Sequence, residues 1–124
     1  MQTIFIIHCN HSVELDDDVL AALKKIQKLG IPVLNQCVLL SEVNDSLEIL
    51  HELFEKLTNN GILPYYLHQL DQVKGAAHFA VSENKGKELL ASLTAKLPGY
   101  AVPKYVKEVP GEMSKKSITS YLGF

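Results

Sequence analysis

A chain of 124 residues, 47% hydrophobic and 21% charged, is long enough for one domain around one core and too apolar for a disordered segment. A formal net charge of -2 offers no electrostatic footprint for nucleic acid or an anionic membrane, and neither is expected as a partner. No apolar run reaches the roughly 18 residues of a membrane span, and the start MQTIFIIHCNH has neither a basic n-region nor a cleavage site, so a cytoplasmic protein is expected.

TIFIIHC, Thr3 to Cys9, is a β-branched run of strand length. Asp17 to Gly30 follows with apolar residues at Val19, Leu20, Leu23, Ile26 and Leu29, which predicts an amphipathic helix. Asp16 to Asp18 sit at its start and Lys24, Lys25 and Lys28 toward its end, as the helix dipole favours, and Gly30 supplies the stop. IPVLNQCVLL, Ile31 to Leu40, reads as a second strand. Ser46 to Gly61 reads as a second helix, capped at Asp45 or Ser46, with its stripe at Leu47, Leu50, Leu53, Phe54 and Leu57. Ile62 to Leu70 is the third strand, and Ser82 caps a third helix that runs to about Lys96. A short extended piece, AVPKYVK, then leads into a proline-glycine turn.

Strand–helix alternation at this spacing predicts an α/β fold: three βα units with parallel strands over residues 1–97, followed by a C-terminal extension, 98–124. Ligands in such sheets bind beyond the C-terminal strand ends, which here read HCNH, NQCVLLSEVND and HQLD. A closed barrel of this kind needs eight units and a doubly wound sheet usually five or six, so three units and a tail read as part of something larger.

Taken singly, the candidate residues are ambiguous. His8, Cys9 and His11 crowd one strand end in a combination that suits zinc, but no carboxylate stands at a fixed offset from them. A small metal-binding module working through His8 and His11 is the alternative to any enzymatic reading. Asp71 just past a strand suits a phosphoacceptor with Asp16 to Asp18 as the acidic pair, yet Pro103-Lys104 offers the required Lys-Pro in the wrong order. Lys115 and Glu108 by themselves are most often surface charges, and Gln36 inside a strand is most often a satisfied core amide. A lysine becomes a carbonyl nucleophile only when its surroundings lower its pKa or a cofactor captures it. Cys9 and Cys37, outside any CxxC pattern, read as reduced buried thiols, and two cysteines cannot hold a four-cysteine iron–sulfur cluster.

The segments HCNH, LNQCVLLSEVND, PYYLHQLDQVKGAAHF and LPGYAVPKYVKEVPGEMSK, in this order, closely resemble the C-terminal half of the lysine 2,3-aminomutase family of radical SAM enzymes. The likeness is to the bacterial branch that makes β-lysine for modification of elongation factor P, and it covers essentially the whole chain. The resemblance implies half of a partial (β/α)6 barrel and an isomerase that converts L-α-lysine to β-lysine. Its cofactors would be S-adenosylmethionine, a [4Fe–4S] cluster and pyridoxal phosphate (PLP). It implies that Lys115 holds PLP, that Asp71 and Glu108 hold the ε-ammonium of lysine, and that His8 and Gln36 contact S-adenosylmethionine. Two carboxylates around one ammonium identify the substrate by the charge at its far end.

Departures from the family pattern are visible too. Some relatives carry aspartate where Glu108 stands. The lysine loop is PGEMSK rather than a run of glycines, and Lys116 stands where threonine is common. The C-x3-C-x2-C cluster loop and the first three strands are missing, so the chain is expected to be a fragment, inactive alone. Halving a barrel leaves TIFIIHC as an unprotected edge, from which a homo-oligomer, a dimer first of all, is expected.

Overall fold

The computed structural model describes residues 2–70, 77–108 and 115–117. Its elements follow the expected alternation: β1 (Phe5–His8), α1 (Asp17–Lys28), β2 (Val33–Leu39), α2 (Leu47–Asn59), β3 (Ile62–Gln69), α3 (Glu83–Lys96), β4 (Lys104–Glu108) and β5 (Lys115–Ser117). They form one sheet in the order β1-β2-β3-β4-β5, with β1 to β4 parallel and β5 antiparallel to β4. The extended piece after the third helix is thus a fourth parallel strand, paired to β3 from Tyr66↔Lys104 to His68↔Val106. The first strand is shorter than the apolar run suggests, and Cys9 lies just beyond it.

Each helix begins where a side chain can satisfy orphan backbone donors. The Asp16 carboxylate accepts from Val19 N–H, the Ser46 hydroxyl oxygen from Ile49 N–H, and the Ser82 hydroxyl oxygen from Lys85 N–H. Ser46 rather than Asp45 is the cap of α2. Asp45 instead accepts from the backbone N–H of Glu42, which has φ 66°, and from Lys85 Nζ at 2.8 Å.

Strands taken in sequence order with right-handed crossovers put every helix on the same side of the sheet. The burial alternates accordingly. Val33, Asn35, Cys37 and Leu39 of β2 are buried on the helix side with Leu23, Leu50, Leu53, Phe54, Leu57, Leu90 and Leu93. Leu34, Gln36 and Val38 face the other way and are half-buried. The register carries that open face across to Ile6 and His8 on β1 and to Leu63, Tyr66 and His68 on β3. Ile6 is 44% and Leu63 45% exposed, so the open face is apolar at the N-terminal ends of the strands.

β3 contains Pro64 in mid-strand, where a missing N–H would break a regular ladder. The register shifts at this point: Asn35 pairs with Pro64 and Gln36 with Tyr66, leaving Tyr65 as the extra residue of a bulge. The shift sets which residues of β3 share a rung with Gln36 and Val38.

Candidate functional site

The C-terminal strand ends gather the polar residues of the open face. His8 pairs with Gln36, and Gln36 with Tyr66, so three adjacent strands present them side by side. Gln36 Oε1 lies 3.0 Å from His68 Nε2. With the amide oxygen as acceptor, Nε2 carries the imidazole proton. The His68 ring stands edge-on to Tyr66, with centroids 5.5 Å apart. Burial and the neighbouring Tyr65 push the Tyr66 phenol above its ordinary pKa. His8 is exposed at the rim.

A set of amides holds these strand ends. Asn35, fully buried, accepts from Cys9 N–H at 2.9 Å and donates to Cys9 O at 3.1 Å. Asn10 Oδ1 accepts from Val38 N–H at 2.9 Å. Asn44, also fully buried, accepts from Leu40 N–H and donates to the carbonyls of Asn10 and Val38. Glu14 accepts from the N–H groups of Asn10 and His11. The loop after β1 is thereby tied to the end of β2, and His8 is fixed against Gln36. Sequence reading missed the asparagines. The available signal was Asn35 itself, an amide at a position where strand alternation calls for an apolar side chain.

A second tie joins β3 to β4. The Tyr105 hydroxyl donates to Gln69 Oε1, and Gln69 Nε2 donates to the Val81 carbonyl at 2.5 Å. Tyr105 is fully buried, and its ring fills the space that a Cβ on Gly86 of α3 would occupy. Lys107 adds an ion pair to Glu83 at 2.6 Å.

The sequence-derived candidates fall as follows. His8 and Gln36 are neighbours on adjacent strands. Glu108 and Lys115 pair directly in the backbone register of β4 and β5. Asp71 lies outside the described residues. The metal module does not assemble: His11 Nδ1 accepts from Val13 N–H at 3.2 Å as a cap, and among the described residues no three His, Cys, Asp or Glu side chains cluster to hold an ion. Cys9 and Cys37 are free thiols, both buried. Burial pushes Cys9 up to about 11 and Cys37 further still, so neither offers a thiolate near neutrality. A groove of about 220 Å³ lined by Leu47, Glu48, His51 and Lys96 lies on α2 and α3 and holds none of the candidates. Among the described residues no helix is long and apolar enough to cross a membrane.

No family model matches the chain. It is 42% identical over 115 residues to an L-lysine 2,3-aminomutase of Escherichia coli, covering 93% of this chain and 34% of that protein. The figures for the L-lysine 2,3-aminomutase of Haemophilus influenzae are 43% over 115 residues, 93% and 34%. That of Methanococcus maripaludis is 44% identical over 104 residues, 84% of this chain and 24% of the relative. The chain thus spans about a third or less of the length of these relatives. Among solved structures, a domain of pyruvate-formate lyase-activating enzyme from Bacteroides vulgatus superposes with a TM-score of 0.55 at 14% identity. The superposition covers 86% of this chain and 67% of that one, and it speaks for the fold alone.

Proposed function

We propose, from the premise that this chain is related over nearly its whole length to the L-lysine 2,3-aminomutases, that it is the part of such an isomerase that recognises lysine and anchors PLP. The reaction is the conversion of L-α-lysine to β-lysine in the cytoplasm, serving modification of elongation factor P. The observation that carries this reading is the 115-residue match together with the pairing of Glu108 opposite Lys115.

Asp71 and Glu108 accept the ε-ammonium of lysine between two carboxylates, which fixes the distance from the charged end to the reacting carbons. Lys115 supplies the primary amine that holds PLP. When bound, PLP supplies an electron-accepting π system next to the migrating nitrogen. His8 and Gln36 offer a polar edge to S-adenosylmethionine, and the bond from Gln36 to His68 orients that amide. The donor set of these residues does not fit a four-iron cluster, since the two cysteines are buried thiols hydrogen-bonded within the core.

The test is a hybrid in which these residues replace the matching third of the Escherichia coli relative. Borohydride reduction should attach PLP to Lys115, and Lys115→Ala should abolish the label. Label on Lys116 overturns the assignment. Asp71→Asn should weaken lysine turnover by about 2–5 kcal/mol, as for loss of one member of a buried charge pair. An unchanged kcat/KM for lysine defeats the carboxylate role.

A further inference from the structure

We propose that His68 is a positioning residue: its Nε2–H holds Gln36 by the amide oxygen, so that Gln36 meets a ligand as a hydrogen-bond donor and the strand-end edge selects for an acceptor oxygen. The inference deepens the reading in which this edge meets S-adenosylmethionine, and it rests on that reading.

Strand alternation alone would turn His68 the other way. Pro64 is buried on the helix side, opposite the buried Asn35. A strict period of two from Pro64 puts Tyr66 and His68 on the helix side as well. The slip after Asn35 inserts Tyr65 as an extra residue, and a one-residue slip moves every later side chain to the opposite face. Leu67 accordingly enters the core, while Tyr66 and His68 turn to the open face. The rings of Tyr65 and Tyr66, consecutive in sequence, lie with centroids 4.5 Å apart. A bulge re-aims a side chain, and here the side chain re-aimed at Gln36 is an imidazole.

His68 pairs with Val38, two residues along β2 from Gln36 and on the same face. Its Nε2 reaches Gln36 Oε1 at 3.0 Å, and the edge-on Tyr66 ring backs the imidazole. A carboxamide carries its oxygen and its nitrogen on opposite sides of one axis. With Oε1 held from β3, Nε2 turns away from His68. Among the described residues Gln36 Nε2 has no hydrogen-bond partner. Its two N–H groups are open to a ligand, beside the exposed His8 on the same rung.

An amide free to rotate serves donors and acceptors alike, whereas one held by its oxygen offers donors alone. S-adenosylmethionine has two kinds of acceptor oxygen that satisfy such a donor, the sugar hydroxyls and the carboxylate. His68 touches neither. It acts through Gln36.

In the 15N-labelled chain, long-range 1H–15N correlation should show His68 protonated at Nε2. An unprotonated Nε2 overturns the orientation. In the hybrid enzyme His68→Phe keeps a ring against Tyr66 and should weaken S-adenosylmethionine binding about five- to tenfold, the size of one ordinary hydrogen bond. His68→Gln, which brings an amide N–H to about the reach of Nε2, should restore it. In a Gln36→Leu background His68→Phe should cost nothing more, and an undiminished loss there overturns the route through Gln36. Adenosine and methionine as separate competitors identify the oxygen, because His68→Phe should weaken one of them and spare the other. An equal loss on both overturns the selective role and marks the imidazole as structural. A folded parent hybrid that binds no S-adenosylmethionine overturns the functional reading itself. A parent that binds, with a His68→Phe variant that binds as well, overturns this inference alone.

Discussion

Asn35 shows how one side chain can do two jobs at this site. It sits in a strand between residues that pack the core, yet its amide satisfies both backbone groups of Cys9, 26 residues away. Asn35→Leu keeps the size and leaves two buried backbone groups unpaired, at about 1–3 kcal/mol each. Urea unfolding should show a loss of roughly 2–5 kcal/mol, a large fraction of a small domain's stability. A loss near zero would mean that the loop after β1 relaxes into water. The neighbouring thiol gives a pH test. Burial disfavours the thiolate, so folded Cys9 keeps its proton up to about 11, whereas an exposed thiol loses it near 9.0. The stability from this source is full below the unfolded value, declines above it, and is lost as pH rises through the folded value. Denaturation midpoints at about pH 7.5 and about pH 10 should therefore separate more for the parent chain than for Cys9→Ala.

The elements were largely legible because their signals are local. The leucine stripes and the caps at Asp16, Ser46 and Ser82 mark the three helices before any contact is known, and the β-branched runs mark β1 to β3. The bulge was not legible, since apolar residues run straight through Pro64 to Leu67 and only pairing with β2 reveals the slip at Tyr65. Nor was β4 as a member of the parallel sheet, because its partners on β3 lie 38 residues earlier. For the site, His8 and Gln36 were readable as strand-end polar groups, but the bond from Gln36 to His68 depends on that slip. Nothing local in the sequence marks Gly86, whose role comes from a tyrosine on another element. Gly86→Ala separates the two influences. Helix propensity favours alanine by about 1 kcal/mol, while overpacking against a buried ring costs about 1–3 kcal/mol. The overlap with Tyr105 should win, and the melting temperature should fall by several degrees. A rise would show that the ring has room to move.

At the scale of the whole molecule, the helices among the described residues clothe one side of the sheet. β1 is an edge strand, and Ile4, Phe5 and Ile6 are 49%, 42% and 44% exposed. An edge of this kind pairs with other chains unless something covers it. The isolated chain is expected to self-associate, a twofold dimer being the simplest closed form. Light scattering after size exclusion at tens of micromolar should show it, and Ile6→Lys should return the monomer. A monomeric parent chain overturns this expectation. The same one-sided coat has a calorimetric signature. Hydration of apolar surface carries a large heat capacity, and that of polar surface a small one of opposite sign. A polypeptide that closes over the whole open face buries Ile6, Leu34 and Leu63 as well as the polar rim, and should bind with a strongly negative heat-capacity change. A small polar ligand that meets only His8, Gln36 and His68 should bind with almost none. Two titrations at different temperatures would therefore tell a completed barrel from a merely occupied strand end.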